Sequence, residues 1–371
     1  MTEQRATNTV LHILAGDLWG GKEAQMKFQL PEIEKRGWKV WVLLFNAGAV
    51  QQTYCESGLR VEAISEADGF RKLLADAYRS VENLRPSVIV AHGYKEAVVG
   101  MCCSRKFKIP FIYVLHGAPE PHRGWNGIKL KLFSWLALRW ARFSAYRIVA
   151  VSGALAKTLG LGSFTRTTII YNVSSSKAQR PSADGLALRR PAIVAVGRFV
   201  AVKRFDLALR AFAIVLSEMS ATAAKPTLYL VGDGPEERAL RAIVSDLGIS
   251  DFVELTGFRK DAAELIANAD LFLLSSDSEG IPTVLLEALY AGTPVAATAV
   301  GGIPEVMKLL PGYPYELTKP GNAKKLAHAM QKMLRADRAD LTEFGEVVEK
   351  HFAPSVAGKL HADMYREVCN E

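Results

Sequence analysis

No stretch of about 18 uncharged apolar residues, the length that spans a bilayer, occurs in this 371-residue chain. A membrane-spanning helix is therefore not expected. The opening MTEQRATNTV is polar and runs straight into a strand-like segment, without the pattern of a secretory leader. Cysteine is scarce. Cys55, Cys102, Cys103 and Cys369 form no C-x-x-C pair, which argues against a zinc site or a disulfide framework and fits ordinary thiols in a reducing cytoplasm. No Asp-x-Asp occurs, and neither His92 nor His116 has a partner at metal-ligand spacing, so no catalytic metal is expected. LVGDGPEERAL carries Gly232 and Gly234 but places Glu237 where a dinucleotide fingerprint needs its third glycine. Nicotinamide binding is thus unsupported, although such a turn still lets backbone come close to a ligand. No nucleic-acid motif appears, so nucleic acid is not an expected partner.

What is present is the composition of a globular protein, 49% apolar and 23% charged, at a length comfortable for two cores. Its charge is uneven. Residues 1–173 hold 23 Lys+Arg against 13 Asp+Glu, a net of +10; residues 174–371 hold 23 against 25, a net of −2, and the two make the overall +8. Between Arg85 and Arg147 there are 11 basic and 2 acidic residues. The first half is thus suited to something negative: an anionic membrane surface or an acidic acceptor. Within it, IKLKLFSWLALRWARFSAYR (128–147) spreads its bases around half a helical wheel, with Trp135, Leu138 and Phe143 among them. It is not a clean interfacial amphipath, and a core helix with an exposed basic edge is the preferred reading.

The first half alternates strand-like runs (TVLHILAG, WKVWVLLFN, PSVIVAHG, PFIYVLHG, YRIVAVSG) with helical stretches such as KEAQMKFQLPEIEKRG. This is the rhythm of a parallel sheet covered on both faces. It stops in VSSSKAQRPSADGLALRRP, which lacks periodicity, and restarts at AIVAVGR. The expected organisation is a first domain over 1–173, a connection over 174–190, a second domain over 191–345, and a C-terminal helix over 346–371 placed to pack back on the first domain. The fold class is α/β, two Rossmann-like domains with parallel sheets. Ligands of such sheets sit beyond the carboxyl ends of the strands, and with two domains in tandem the cleft between them is the natural site.

The chemistry-bearing residues cluster in the second half. In LFLLSSDSEGIPTVLLEALYAG, Glu279 stands in a loop and Glu287 eight positions later in the following helix. Pro282 suits the first helical turn and Gly292 the stop. The loop would aim backbone N–H groups at a ligand, at the positive end of the helix dipole. One carboxylate can accept from sugar hydroxyls beside a reacting carbon, the other from the paired hydroxyls of a ribose. Taken alone, the two glutamates also read as a capping residue and a solvated helix face. Arg198 and Lys203 share one loop after a strand and can clamp a diphosphate, the Arg bidentately and the Lys as a point charge; alone, they read equally as solvent-facing cations. Gly20 and Gly21 mark either a phosphate contact or a tight turn. His92 and His116 each follow an apolar strand, structural and functional roles being equally open.

The order of these motifs is more specific than any one of them. Gly197-Arg198 with Lys203, then Gly232-Asp233-Gly234, TGF, EGIPTVLLEAL with its two glutamates, GTPVAAT and GGIPE together resemble glycosyltransferase family 4 across nearly the whole second half. GGKEAQ, AHG, YVLHG, AVSG and IIYN fit more loosely in the first. The resemblance implies the GT-B fold, with a nucleotide sugar (UDP- or GDP-linked) in the second domain and the acceptor in the first. It implies that Arg198 and Lys203 hold the donor diphosphate and Glu287 the ribose. Glu279, with Gly280, Ile281, Pro282 and Thr283, would address the donor sugar and phosphate, His116 the transferred sugar, and Gly20 and Gly21 the diphosphate. Transfer would retain anomeric configuration and need no metal. The one departure follows Asn172, where Val173 and Ser174 replace the family's Gly and acidic residue. The expected function is sugar transfer to a glycan or lipid-linked acceptor in bacterial lipopolysaccharide or exopolysaccharide synthesis, in the cytoplasm or on the inner face of its membrane. A nucleotide-sugar epimerase on the same fold, acting without an acceptor, is the alternative; a non-enzymatic sugar-nucleotide-binding relic is disfavoured by the intact donor residues.

Overall fold

A computed structural model of the chain describes residues 8–16, 19–117, 125–174, 187–220 and 222–370. It divides into two units: Met1–Val173 with Pro354–Glu371, and Ser174–Ala353. Most of the expected connection over 174–190 lies outside the described residues.

The first unit is built on a seven-stranded parallel sheet of β1 (Thr9–Leu14), β2 (Lys39–Leu44), β3 (Arg60–Ala63), β4 (Val88–Ala91), β5 (Phe111–Leu115), β6 (Arg147–Ala150) and β7 (Thr167–Ile169), in the order β3-β2-β1-β4-β5-β6-β7. Its central strands are apolar at every position but His12 and Thr9, because both faces are covered. Val10, Leu14, Val88, Val90, Ile112 and Val114 point to one face, under the helices Gly21–Glu34 and Pro354–Asn370. Leu11, Ile13, Ile89, Ala91, Phe111 and Tyr113 point to the other. The chain returns to the first unit at Pro354, so Leu341–Phe352 stays with the second unit and only the last helix, Pro354–Asn370, packs against Gly21–Glu34.

The second unit holds a six-stranded parallel sheet of β8 (Ala192–Val196), β9 (Thr227–Val231), β10 (Val253–Gly257), β11 (Leu271–Leu274), β12 (Val295–Thr298) and β13 (Tyr315–Thr318), in the order β10-β9-β8-β11-β12-β13. In each sheet the strand order reverses once, between β1 and β4 and between β8 and β11. At such a reversal the loops leaving adjacent strands diverge and open a crevice at the carboxyl edge.

The reading of residues 128–147 as a core helix with a basic edge needs correction. Along Trp125–Ser144, Ser134, Ala137 and Ala141 are buried at helical spacing, but Leu132, Phe133, Trp135, Leu136 and Phe143 are exposed. The outward face is therefore apolar as well as basic. Arg139 lies over the Trp135 ring at 5.7 Å. Arg142 is not part of that face: its guanidinium donates to the carbonyls of Leu159 and Gly160 at 2.9 Å each, at the end of the helix Gly153–Thr158. The side chains of Lys129 and Lys131 lie outside the described residues.

Candidate active site

In the second unit the loops after β8 and β11 are stitched together at the strand-order reversal. Asp277 N donates to Val202 O at 2.9 Å, and Ser275 Oγ to Lys203 O at 2.8 Å. Arg204, held at φ 51° at the start of the helix Phe205–Glu218, pairs with Asp206 at 2.9 Å and Asp277 at 3.0 Å. From the other side, Thr298 Oγ1 donates to Ser276 O at 2.6 Å and Gly302 N to Gly280 O at 2.7 Å. Gly301 is obligatory here. Its φ is +56°, and a Cβ would lie 1.9 Å from Glu279 O.

This clamp presents one compact group. Lys203 Nζ donates to Glu279 Oε1 at 2.7 Å, and Ser276 Oγ donates to the same oxygen at 2.6 Å. The Glu279 side chain is 9% exposed and that of Lys203 23%. Lys203, expected as an independent cation for phosphate, is thus ion-paired with the carboxylate expected at the sugar. Its stem passes 3.7 Å from where a Cβ of Gly197 would stand, next to half-buried Arg198. A cation and a carboxylate in contact can meet the two sides of a sugar–phosphate bond.

Gly232 and Gly234 let the loop after β9 pack closely on the protein's own backbone. A Cβ on Gly232 would lie 2.0 Å from Gly197 O, and one on Gly234 2.5 Å from Phe199 O. The glycines let the β9 loop press on the protein's own Gly197–Phe199 backbone and so support Arg198 from beneath. Pro282 also stands one residue earlier than expected. It precedes the helix Thr283–Ala291, which Gly292 ends at φ 68° as anticipated. Glu287 emerges from that helix half-buried between buried Leu286 and Ala288, and no hydrogen bond or ion pair to it is found among the described residues. Burial raises its carboxyl from the ordinary 4.5 to about 7.

In the first unit, Gly20 is extended and caps Gly21–Glu34, whose first turns carry Lys22, Glu23 and Gln25. Lys22 bridges Glu23 at 3.3 Å and Glu96 at 3.5 Å. Burial would lower its amine, but Glu96 and Glu23 outweigh that and hold it above its usual value. His116, half-buried at the end of β5, meets Gln25 Nε2 at Nδ1 (2.9 Å) and His92 Nδ1 at Nε2 (2.9 Å). His92 Nε2 meets His12 Nδ1 at 2.8 Å, and Tyr365 OH lies 3.4 Å from His12 Nε2 and 3.3 Å from His361 Nδ1. Burial, then neighbouring positive groups, lowers His12 and His116 to about 3 and His92 well below 6.5; burial alone lowers His361 to about 4. All four imidazoles are neutral at pH 7.

The sequence reading missed His12, Gln25, Tyr365, His361 and Ser276. A signal for His12 lay in register alone, since TVLHILAG otherwise reads as plain core. At the departure after Asn172, Val173 N donates to Gln25 Oε1 at 3.2 Å and Ser174 N to Phe352 O at 3.3 Å. Among the described residues, no group of three or more His, Cys, Asp or Glu side chains is placed to hold a metal, and no helix is long and apolar enough to cross a membrane.

The sequence profile described as Glycosyltransferase Family 4 matches residues 19–173, and that described as Glycosyl transferases group 1 matches residues 190–336. The chain belongs to glycosyltransferase family 4. It is similar to the N-acetyl-alpha-D-glucosaminyl L-malate synthase of Bacillus anthracis, at 40% identity over 124 residues, 33% of this chain and 31% of that one. It is also similar to LpsE of Rhizobium meliloti, a lipopolysaccharide core biosynthesis glycosyltransferase, at 30% identity over 186 residues, half of each chain. The chain thus spans about a third to a half of the length of these curated relatives. Among solved structures, Anabaena HepE in complex with UDP and glucose superposes with a TM-score of 0.77 at 21% identity, over 97% of this chain and 99% of HepE. The two Rossmann-like units are therefore those of the GT-B fold.

Proposed function

We propose that this chain transfers a sugar from a nucleoside-diphosphate sugar to a glycan or lipid-linked acceptor, in the synthesis of a bacterial surface polysaccharide. The observation that carries the reading is the contact of Lys203 with Glu279, braced by Ser276 and followed on the next helix by unpaired Glu287. Lys203 and Arg198 meet the diphosphate, Glu279 the sugar hydroxyls, and Glu287 the two ribose hydroxyls. Gly280, Ile281, Pro282 and Thr283 line the sugar and phosphate, with Gly20 and Gly21 at the diphosphate and His116 at the transferred sugar. HepE, described with UDP and glucose, supports a uridine-linked donor, and LpsE supports a lipopolysaccharide-type acceptor.

In the proposed step the bond from the anomeric carbon to the phosphate oxygen breaks, and a bond from that carbon to the acceptor oxygen forms on the same face. The acceptor's proton passes to the departing phosphate oxygen. Positive groups preorganised at the leaving diphosphate stabilise charge that grows in the transition state. On this account Arg198 and Lys203 supply that charge without a metal.

The exposed apolar and basic face of Trp125–Ser144 supports docking on an anionic membrane surface, on the cytoplasmic side where nucleotide sugars are made. The test of donor binding is protection against thermal unfolding by a panel of UDP- and GDP-sugars. Protection by one of them in the wild type, weakened in Glu287→Gln, supports the reading; no protection by any overturns it.

A further inference from the structure

The histidines of the first unit form a line set by strand register. His12 on β1 lies level with Val90 on β4, and Val90 with Ile112 on β5. His92 is two residues beyond Val90, and His116 four beyond Ile112, so each step goes one strand across and two residues along. Because side chains alternate, all three share the face covered by Pro354–Asn370. Diagonal neighbours of this kind stand about 7–8 Å apart, within reach of ring side chains. His12, His92 and His361 are 0%, 2% and 3% exposed, so the far end of the line is closed to solvent.

The direction of this line follows from one backbone group. Val173 N–H can only donate, so the atom of Gln25 that faces it is the amide oxygen. The amide nitrogen of Gln25 then faces His116 and donates to Nδ1. A neutral imidazole that accepts at Nδ1 carries its proton on Nε2. His116 therefore donates to His92 Nδ1, His92 Nε2–H donates to His12 Nδ1, and His12 Nε2–H meets the oxygen of Tyr365, whose hydroxyl is left to donate to His361 Nδ1. The opposite direction would set an N–H of His116 against an N–H of Gln25.

We propose that Gln25, His92, His12 and Tyr365 are positioning residues that lock His116 in the Nε2–H form, with Nδ1 offered as an acceptor. This inference rests on the placing of His116 at the transferred sugar. It deepens that placing by naming the residues that hold its ring there, hydrogen-bonded at both nitrogens.

The test reads the free protein. Long-range proton–nitrogen spectra of the chain labelled with 15N-histidine report which ring nitrogen carries the proton. The expected result is Nε2–H for His12, His92, His116 and His361. In Gln25→Leu the source of direction is gone, and His12, three hydrogen bonds away, should show both forms. On transfer, His92→Phe should lower kcat about 10- to 100-fold, the scale of a slight misplacement of a reacting group, with donor KM little changed. His92→Asn, which keeps an acceptor for His116 Nε2–H, should recover most of the rate. An Nδ1–H form of His116 in the wild type overturns the proposal whether or not any variant folds. So does a His12 signal untouched by Gln25→Leu. Neither spectrum needs donor or turnover, so a wrong tautomer overturns the line alone and a failed transfer assay the transferase reading alone.

Discussion

Lys203 and Glu279 stand 76 positions apart in the chain and meet at 2.7 Å, Nζ to Oε1. The pair exists because β8 and β11 are neighbours in the sheet, which brings the two following loops side by side. On the proposed reading, removing Lys203 takes away charge at the leaving diphosphate; it also leaves a nearly buried carboxylate without its cation. Lys203→Ala and Arg198→Ala should each lower turnover by about 10- to 1,000-fold, the scale of a lost oxyanion donor. Since Lys203 and Glu279 share one contact, Lys203→Ala/Glu279→Gln should cost less than the two single changes together. Steady-state kinetics on the single and double variants check this; strict additivity would show that the contact is not used.

On the proposed reading Glu287 holds a ribose that does not change during transfer, so its contribution is uniform binding. Glu287→Gln should raise donor KM and leave kcat nearly intact. With the carboxyl raised to about 7 by burial, the accepting carboxylate is lost as pH falls through 7. Donor KM should therefore rise several-fold between pH 8 and pH 6 in the wild type, and this dependence should be absent in Glu287→Gln. A flat wild-type profile would contradict the role.

The buried histidines make the first unit acid-sensitive. His12, His92, His116 and His361 all have folded-state values below the ordinary 6.5. The unfolded chain therefore binds more protons, and stability falls as pH drops below about 6.5 toward 4. Each such histidine contributes up to about 1.4 kcal/mol per pH unit in that window. All six tryptophans (Trp19, Trp38, Trp41, Trp125, Trp135, Trp140) belong to the first unit, so denaturant unfolding followed by tryptophan fluorescence reports it alone. The midpoint should fall steeply between pH 7 and pH 5, and less steeply in His12→Phe. An unchanged slope would mean that the line does not stay neutral in the folded state.

The fold was legible because it rests on local patterns: apolar runs of strand length, helical periodicity between them, and a break where the rhythm stops. The proposed donor residues stand out in the sequence because their order along the second half is itself a pattern. What could not be read depends on sheet order and register. Lys203 and Glu279 appear in the linear chain as two separate charges, and only strand adjacency makes them a pair. His12 looks like a polar accident in an apolar strand until register aligns it with His92 and His116. Tyr365 and His361 reach the line from the last helix, after the second unit has been completed. That Gly232 and Gly234 pack on Gly197 and Phe199 also depends on strand adjacency, which the linear chain does not show. Trp135 and Phe143 suit a core by size, but both are exposed, and the buried stripe instead uses Ser134, Ala137 and Ala141.

That outward face yields a further test. Recovery with vesicles containing anionic phospholipid should fall with added salt, as charge attraction is screened over a Debye length of about 8–10 Å. It should also fall when Phe133 and Trp135 are both replaced by Ser, and when Lys129, Lys131 and Arg139 are neutralised. Arg142 is left unchanged in these variants because it holds the carbonyls of Leu159 and Gly160. Sedimentation with vesicles measures the effect, and binding indifferent to salt and to both sets of changes would rule out this membrane surface.

The central claim is acceptor-dependent sugar transfer, and its most direct measurement is made on enzyme dialysed against a strong chelator. Each donor that protects the chain from unfolding is incubated with and without a lipopolysaccharide-core or lipid-linked acceptor. Released nucleoside diphosphate is then compared with sugar incorporated into the acceptor. The account predicts one diphosphate for each sugar incorporated, release that requires the acceptor, and loss of both in Arg198→Ala. Conversion of the donor to an altered sugar without any acceptor, or incorporation that returns only with manganese or magnesium, would contradict it.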